Sequence, residues 1–320
     1  MSLSGPNRIS VAMCTYNGER FLPQQLASIA QQTRAPDELV VCDDKSTDRS
    51  VVMLREFAES VSYPVRILEN EHNLGLVANF ERAIRLCSGD LIALSDQDDI
   101  WYPNRLERSA QEFAAHPRAG LVFSDADLID DRGRLLGQTL WQRLGFVGER
   151  RRDLLAGQYA VLAKHRFVTG ATVMFRATLR DRSLPIGSGW IHDEWIAMIA
   201  AAFFDLRLVE QPLIRYRMHG SQQVGFVNKL KKRARGNTGA ERHWHRVQDS
   251  AEELQQICDA LGQEVLPVYE RHLQFLRFRS NLPRRRLARL SPVLTHYEQY
   301  RVHASGLASA LKDLTLQRPR

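Results

Sequence analysis

Residues 91–99 read LIALSDQDD, a short apolar run that ends in three carboxylates. Two earlier stretches have the same form, ISVAMCTYN at residues 9–17 and LVVCDD at residues 39–44. Each apolar run predicts a buried strand, and the residues that follow it have the spacing of a helix. Strands that alternate with helices in this way predict an α/β fold with a doubly wound, mostly parallel sheet.

The polar groups TYN, CDD and SDQDD all lie at the ends of predicted strands. In doubly wound sheets, ligands bind beyond the carboxyl ends of the strands. We therefore expect these three groups to converge in space and to form a ligand site.

The pattern changes after Pro117. Apolar runs at residues 121–123 and 173–175 predict added strands, some of them antiparallel, and HDEW at residues 192–195 opens an apolar helix. A last strand of the core is predicted to end at MHG, residues 218–220, and a helical pattern begins at about residue 229. This organisation predicts a core domain over residues 1–225 and a mostly helical region over residues 226–320.

The net charge of +7 belongs to the C-terminal region. Residues 226–320 hold 18 Lys and Arg against 9 Asp and Glu, so residues 1–225 hold 26 against 28. A basic region can contact nucleic acid, anionic lipid or a phosphorylated acceptor, although a solvated helical surface is the simpler explanation.

The expected compartment follows from the cysteines and the apolar runs. The four cysteines are scattered and form no CxxC pair, which favours a reducing environment. No signal peptide is recognisable at the N-terminus, and the longest apolar run is too short to span a bilayer. We therefore expect a cytoplasmic protein.

The carboxylates of SDQDD have the geometry of a cation site. Asp96 and Asp98 occupy alternate positions after a predicted strand, so their side chains point the same way. Oxygen ligands in this arrangement suit a divalent cation that keeps further positions for water and phosphate. A turn or a helix cap also explains two nearby aspartates. Asp43 or Asp44 could accept a hydrogen bond from the imide N–H of uracil or thymine, or could cap the following helix.

Asp193 and Glu194 begin the apolar helix that HDEW opens. Carboxylates are favoured at a helix N-terminus by the helix dipole, so capping is the simpler explanation for both. Partial burial beside Trp190, His192 and Trp195 would raise the pKa of a carboxylate and make it a better base. His219 follows the last core strand, where a histidine could reach a metal or could be purely structural.

Several nucleotide-binding and hydrolytic motifs are missing from the sequence. It contains neither GxGxxG after the first strand nor GxxxxGK(S/T), and neither GxSxG nor HExxH. A bound nucleotide would therefore be held by carboxylates and a metal rather than by a glycine-rich loop.

Seven segments, in this order, resemble the family-2 inverting glycosyltransferases of the GT-A fold, particularly the bacterial rhamnosyltransferase-like members. They cover about residues 8–225, some two thirds of the chain. The segments are SVAMCTYNGERFLPQQLASI, ELVVCDDKSTDRS, NLGLVANFERAI, GDLIALSDQDDIWYPNRL, FVTGATVMFR, HDEW and YRMHGSQQVG. The resemblance implies a GT-A sheet with a small antiparallel extension and a helical C-terminal region.

The resemblance also implies roles for individual residues. The nucleoside pocket would be lined by Thr15, Tyr16, Asn17 and Glu19, with Asp44 or Asp43 on the base. Asp96 would contact the ribose or the metal, and Asp98 would bind Mg²⁺ or Mn²⁺. His219 would contact the metal or the diphosphate. Thr169 and Gly170 would bring the backbone close to the donor sugar. The general base would be Asp193, although the Glu-Asp pair of the family is His192-Asp193 here and Glu194 follows as an alternative base.

The resemblance finally implies a reaction. The enzyme would transfer a sugar, with rhamnose as a candidate, from a dTDP- or UDP-linked donor to a glycan or lipid-linked acceptor at the inner face of the membrane. The basic region could then contact anionic lipid, and no nucleic-acid partner is expected. Two alternatives stay open from the residues alone, a nucleotidyltransferase and a nucleic-acid-binding protein that uses the basic region.

Overall fold

The computed structural model describes residues 7–156, 158–162, 165, 167–220 and 239–318. The strands are β1 Ile9–Thr15, β2 Glu38–Asp43, β3 Val65–Glu69, β4 Leu91–Ser95, β5 Ile100–Trp101, β6 Ala119–Ile129, β7 Leu135–Thr139, β8 Val173–Arg176 and β9 Asp205–Arg217. The helices are α1 Leu22–Ala30, α2 Ser50–Ser60, α3 Leu76–Leu86, α4 Arg105–Ala115, α5 Leu140–Leu144, α6 Glu149–Ala156, α7 Gln158–Leu162, α8 Ala177–Ser183, α9 His192–Phe203, α10 Gly239–Leu261, α11 Pro267–Ser280, α12 Leu290–Thr295, α13 Tyr297–His303 and α14 Leu307–Thr315. Short 3₁₀ turns lie at Gly170–Thr172, Gly262–Glu264 and Leu287–Arg289.

The nine strands of the described residues belong to one sheet, in the order β3-β2-β1-β4-β8-β6-β9-β5, with β7 paired with β6. The first four strands of this order run parallel, and β8 and β5 run antiparallel to their neighbours. Every residue of β1, β2 and β4 is buried, as expected for central strands covered on both faces. The predicted α/β fold with a parallel sheet and an antiparallel extension is confirmed.

The register of the central strands brings their carboxyl ends to one edge of the sheet. Thr15 at the end of β1 pairs with Asp43 at the end of β2. On the other side of β1, Met13 pairs with Ser95, the last residue of β4. The polar residues that follow these three strands therefore leave the sheet side by side.

A two-residue strand extends this edge. Ile100 and Trp101 of β5 pair antiparallel with Arg215 and Ile214 of β9. This pairing holds the chain that follows SDQDD against the end of β9. The residues directly after β9 therefore return to the acidic segment that follows β4.

The described residues form two compact units. One contains the sheet, and the other contains α10 to α14 together with residues 159–162, 165 and 187–189. The boundary predicted between residues 225 and 226 lies outside the described residues. No helix in the described ranges combines the length and the apolar character needed to cross a bilayer.

The helical unit has an apolar core and a buried ionic centre. Its core includes Trp244, Phe275 and Tyr300. Asp313 is fully buried and accepts hydrogen bonds from Arg279, Tyr300 and His243 at 2.6 to 2.9 Å. Burial alone would raise the pKa of Asp313, but these hydrogen bonds outweigh burial and lower the pKa to about 2. Breaking such a buried network leaves a charge without its partner, so the centre specifies how these helices pack.

Candidate active site

A cavity of about 450 Å³ opens at the carboxyl ends of β1, β2 and β4. The structure places most of the predicted site residues around it. Those that line the cavity are Thr15, Tyr16, Asn17, Asp44, Asp96, Asp98, Thr169, Gly170, Asp193 and His219. Three predicted site residues, Glu19, Asp43 and Glu194, are not among the lining residues.

The two aspartates after β2 have different environments. Asp43 is fully buried, and its carboxylate accepts from the Thr15 hydroxyl and from both the backbone and the hydroxyl of Ser46. Asp44 lines the cavity, and its Oδ1 accepts from Leu74 N and Asn70 Nδ2. Its Oδ2 accepts one bond, from Gly75 N at 2.9 Å. The Asp44 carboxylate can therefore accept a further hydrogen bond from a ligand in the cavity. The Asp43 carboxylate instead stabilises the loop that follows β2.

The segment after β1 is tied to the loop after β2. The Asn17 side-chain oxygen accepts from Thr47 N at 2.8 Å, and Glu19 Oε2 accepts from Arg49 N at 3.1 Å. Arg49 is the residue before the first turn of α2 and has no side-chain cap of its own. The Glu19 carboxylate thus satisfies a backbone donor at the start of this helix. Its position is explained by this structural contact.

Gln97, between the two cavity aspartates, forms a reciprocal pair with Tyr16. Tyr16 N donates to Gln97 Oε1 at 2.8 Å, and Gln97 Nε2 donates to Tyr16 O at 3.1 Å. A Cβ on Gly18 would lie 2.3 Å from the same Gln97 oxygen. The pair fixes the loop after β4 against the loop after β1, which sets the spacing between Tyr16 and the aspartates.

Asp98 and His219 meet across the cavity. His219 Nε2 lies 2.7 Å from Asp98 Oδ2, although the two residues are 121 positions apart in sequence. Asp96 lies beside them, and burial together with the charges of Asp98 and Asp193 raises the pKa of Asp96 to about 8. The neighbouring carboxylates therefore disfavour ionisation of Asp96, and a cation bound at this end of the cavity would favour its charged form.

Arg217 holds the acidic segment in place. Its backbone N–H donates to Asp99 Oδ1 at 2.9 Å, and its Nε donates to the Asp98 carbonyl at 2.6 Å. Nη2 donates to Gln24 on α1, and the guanidinium lies over the ring of Phe21. Since Phe21 also packs against the His219 ring, Arg217 and Phe21 together position both Asp98 and His219.

The donor set around Asp98 fits a hard divalent cation that shares its ligands with substrate. In the described residues, no group of three or more His, Cys, Asp or Glu could hold a metal by itself. Asp98 and His219 supply one carboxylate and one imidazole, both of them facing the cavity. Mg²⁺ commonly binds through one or two carboxylates and completes its coordination with phosphate and water. Two protein ligands are therefore sufficient for a metal that arrives with a diphosphate.

Asp193 reaches the cavity from the N-terminus of α9. Its Oδ2 accepts from Gly170 N and its Oδ1 accepts from Glu194 N, both at 2.7 Å. These two bonds fix the carboxylate with one face toward the cavity. Glu194 is 5% exposed and does not line the cavity. Of the two acidic residues in HDEW, Asp193 is the one that a bound ligand could contact.

His192 forms part of the cavity wall in a way that the sequence did not reveal. Its ring stacks on Phe80 of α3 with centroids 4.1 Å apart, and burial lowers the pKa of His192 to about 3. The imidazole is therefore neutral at physiological pH. In the described part of the chain, neither ring nitrogen has a hydrogen-bond partner. The His192 ring, stacked on Phe80, therefore acts mainly as a packing surface beside Gly170.

We expect Gly170→Ala to lower the free energy of unfolding by about 1–3 kcal/mol, the usual cost of overpacking. A Cβ at this position would lie 2.8 Å from His192 Nε2 and 3.4 Å from Asp193 Oδ2, so the ring or the loop must move. Urea unfolding measures the change. Gly239→Ala is the control, because a Cβ there meets no atom of the described residues within 4 Å. Equal unfolding midpoints for Gly170→Ala and the wild type would contradict the proposed crowding.

Comparison with known proteins identifies the family of the chain. The profile of the family described as "Glycosyl transferase family 2" matches residues 10–178, just over half of the chain. The Escherichia coli protein named UDP-Glc:alpha-D-GlcNAc-diphosphoundecaprenol beta-1,3-glucosyltransferase WfgD is 37% identical over 99 residues, which are 31% of this chain and 38% of that protein. The chain spans less than half the length of the first curated relatives that it matches.

Two solved structures share the fold. TarS 1–349 of S. aureus, in complex with UDP-GlcNAc, superposes with a TM-score of 0.58 and 16% identity, covering 96% of this chain and 81% of that one. The mannosyltransferase PcManGT from Pyrobaculum calidifontis, in complex with GDP-Man and Mn²⁺, has a TM-score of 0.51 and 16% identity, covering 97% and 86%. At these identities the similarity establishes the fold, which is of GT-A type.

Proposed function

This chain belongs to glycosyl transferase family 2, and from that premise we propose that it moves a sugar from a nucleoside-diphosphate sugar to an acceptor hydroxyl, with inversion at the anomeric carbon. The observation that carries the proposal is the single cavity lined by Asp44, Asp98 and Asp193. In this proposal Asp44 would contact the nucleobase, Asp98 would bind the cation of the diphosphate, and Asp193 would lie beside the reacting sugar. Family membership gives no support to a nucleotidyltransferase or a nucleic-acid-binding protein.

The nucleoside end of the cavity suits a pyrimidine with an imide N–H. Asp44 Oδ2 can accept that N–H, because among the described residues it receives a single hydrogen bond, from Gly75 N. Tyr16 lines the same end and offers an aromatic face on which a base can stack. Uridine and thymidine nucleotides both carry the imide, so we propose a UDP- or dTDP-linked donor. UDP-linked sugars appear in the names of WfgD and of the TarS complex, and rhamnose from dTDP rests on sequence resemblance alone.

We propose that Asp98 and His219 hold Mg²⁺ or Mn²⁺. Asp96 stands beside them and would contact the ribose or the cation. When bound, the cation supplies Lewis-acid stabilisation of the negative charge on the diphosphate. The PcManGT complex contains Mn²⁺ together with its nucleotide sugar, which supports a cation in a fold of this type.

Asp193 is the proposed general base. The acceptor oxygen forms a bond to the anomeric carbon while the bond from that carbon to the diphosphate oxygen breaks. The hydroxyl proton passes to the Asp193 carboxylate, and the electron pair of the broken bond leaves with the nucleotide. The bonds from Gly170 N and Glu194 N hold the carboxylate in position for this transfer. No nucleophilic side chain is needed, since the displacement is direct.

We propose a glycan or lipid-linked acceptor, used in the synthesis of a polysaccharide or a lipid-linked glycan at the inner face of the cell membrane. The name of WfgD describes an acceptor linked to diphosphoundecaprenol, and this supports the acceptor class. The division into a catalytic domain over residues 1–225 and a helical region over residues 226–320 is part of the same proposal.

Thermal unfolding with nucleotides tests the donor site. We expect UDP or dTDP to raise the apparent stability only when Mn²⁺ or Mg²⁺ is present, by about 2.7 kcal/mol at one hundred times the dissociation constant. ADP should shift stability less, because the ring nitrogens of adenine have no N–H to donate to Asp44; GDP tests whether the larger guanine, which does have a ring N–H, is accepted. The metal without nucleotide is the control for non-specific effects.

The possible outcomes separate the parts of this proposal. A shift with UDP or dTDP that needs no metal would contradict the role of Asp98 and His219. An equal shift with all four nucleotides would contradict the role of Asp44. No shift with any nucleotide, from folded protein, would overturn the donor site itself.

A further inference from the structure

Five exposed leucines lie on neighbouring elements near the C-terminal end of the helical unit. They are Leu287, Leu290, Leu294, Leu307 and Leu311, which we call the leucine surface; their exposed fractions run from 48% to 91%. The first three follow one helical spacing through the 3₁₀ turn and α12, and the last two are one turn apart on α14. On each element the leucines therefore share one face.

The opposite faces of the same two elements are buried in one core. Val293 on α12 and Ala310 on α14 belong to a single apolar cluster. Buried Arg289 joins the two elements, since its Nη1 donates to the Asp313 and Leu316 carbonyls at 2.8 Å. Both helices already bury an inner face in the core of this unit, and none of the five leucines belongs to that core cluster. A large exposed apolar patch of this kind usually marks an interaction site.

Basic residues flank the leucine surface in sequence. The exposed residues Arg284, Arg285 and Arg286 directly precede Leu287, and exposed Lys312 follows Leu311. Residues 283–318 contain seven Lys and Arg against two Asp and Glu. One of the two acids, Asp313, is buried and paired with Arg279. The exposed charge around the leucines is therefore almost entirely positive.

We propose that the leucine surface docks on a lipid bilayer that contains anionic headgroups. Leucines on one face with arginines at the border are the features of helices that lie in the membrane interface. A second copy of the chain is disfavoured as the occupant, because a symmetric contact would place the two sets of arginines together. The link to a lipid-linked acceptor rests on the proposed function, whereas the docking itself does not.

Vesicle cosedimentation of the full chain tests the proposal. We expect binding to vesicles of phosphatidylcholine mixed with phosphatidylglycerol, weaker binding to pure phosphatidylcholine, and a fall in binding as salt rises. Removing one basic residue near an anionic bilayer should weaken partitioning roughly five-fold. The triple change Arg284→Ser, Arg285→Ser and Arg286→Ser should therefore weaken it by about 100-fold.

A double leucine variant measures the contribution of apolar insertion to vesicle binding, separately from that of electrostatic attraction. Leu287→Ser with Leu294→Ser should lower binding by at least about tenfold, because it removes the two most exposed leucines and close to half of the exposed leucine area. The matched control is Leu135→Ser with Leu136→Ser, two leucines that are 62% and 50% exposed on β7 of the other unit. This control should bind like the wild type.

Three results would overturn the proposal. They are no binding to the mixed vesicles, an equal loss in the β7 control, and a wild-type dimer in light scattering that Leu287→Ser with Leu294→Ser converts to a monomer. The last result would assign the leucine surface to a second copy. The nucleotide-induced thermal shift of each variant should match the wild type, so a failure of docking is distinguishable from a failure of the donor site.

Discussion

Asp193→Asn should reduce the rate of sugar transfer by about 10²–10⁴-fold, the usual contribution of a general base, and leave donor binding nearly unchanged. The amide has the shape of the carboxylate but cannot take the acceptor proton at neutral pH. Transfer from a labelled donor measures the rate, and the thermal shift with nucleotide and metal measures binding. Donor affinity should stay nearly unchanged because the proposed nucleotide contacts come from other residues.

The substitution Asp193→Asn also changes two hydrogen bonds and therefore affects the stability of the fold. The carboxylate accepts from Gly170 N and Glu194 N, whereas an asparagine side chain has only one acceptor oxygen. One of the two N–H groups would lose its partner, so a modest loss of stability is expected, about 1–3 kcal/mol. Urea unfolding should show this loss, and the assays must be made well below the unfolding midpoint.

Glu194→Gln is the matched control. Glu194 is adjacent in sequence, but it is buried and does not line the cavity. We expect its transfer rate to stay within a few-fold of the wild type. A normal rate for Asp193→Asn would contradict the assignment of the base. A loss in Glu194→Gln as large as that expected for Asp193→Asn would transfer the role to Glu194.

The placement of the cavity could be predicted from the ends of the strands. TYN, CDD and SDQDD follow three apolar runs, and parallel strands bring such groups to one edge. The choice between Asp43 and Asp44 could not be predicted. Asp43 is the last residue of β2 and is turned toward Thr15, whereas Asp44 has left the strand. Only the backbone path after β2 separates these two neighbours.

Contacts between segments that are distant in sequence could not be predicted either. Glu19 was expected to line the nucleoside pocket, but its carboxylate contacts the backbone before α2, which depends on how two loops meet. For His192, the sequence showed only that it replaces the glutamate of the family's Glu-Asp pair. Its stacking on Phe80 depends on how α3 lies beside α9. Neither partner can be identified from local spacing.

The pairing of Asp98 with His219 has a similar origin. β5 is only two residues long, too short to recognise as a strand, yet it joins the chain after Asp98 to β9. Arg217 at the end of β9 then binds the Asp98 carbonyl. The sequence could therefore predict that His219 follows the last core strand, but the contact that brings it to Asp98 depends on this short strand.

Asp98→Asn should abolish the metal-dependent part of nucleotide binding. Even changes to residues that only support a metal ligand typically cost 10–100-fold in metal affinity, so loss of a ligand should weaken binding by at least about 100-fold. At a nucleotide concentration that stabilises the wild type by about 2.7 kcal/mol, the variant should then gain only about 0.4 kcal/mol. Thermal unfolding with UDP or dTDP and Mn²⁺ measures this difference without any transfer assay.

The control for Asp98→Asn is Asp181→Asn, an exposed aspartate that pairs with Arg180 away from the cavity. It removes the same charge from the chain, so any general effect of net charge on nucleotide affinity would appear in both variants. Asp98→Asn also removes a partner of His219, but it leaves the bonds from Arg217 to the Asp98 carbonyl and to Asp99 available. The acidic segment should therefore keep its place. A full metal-dependent shift in Asp98→Asn would show that the cation is held by other residues, with Asp96 the next candidate.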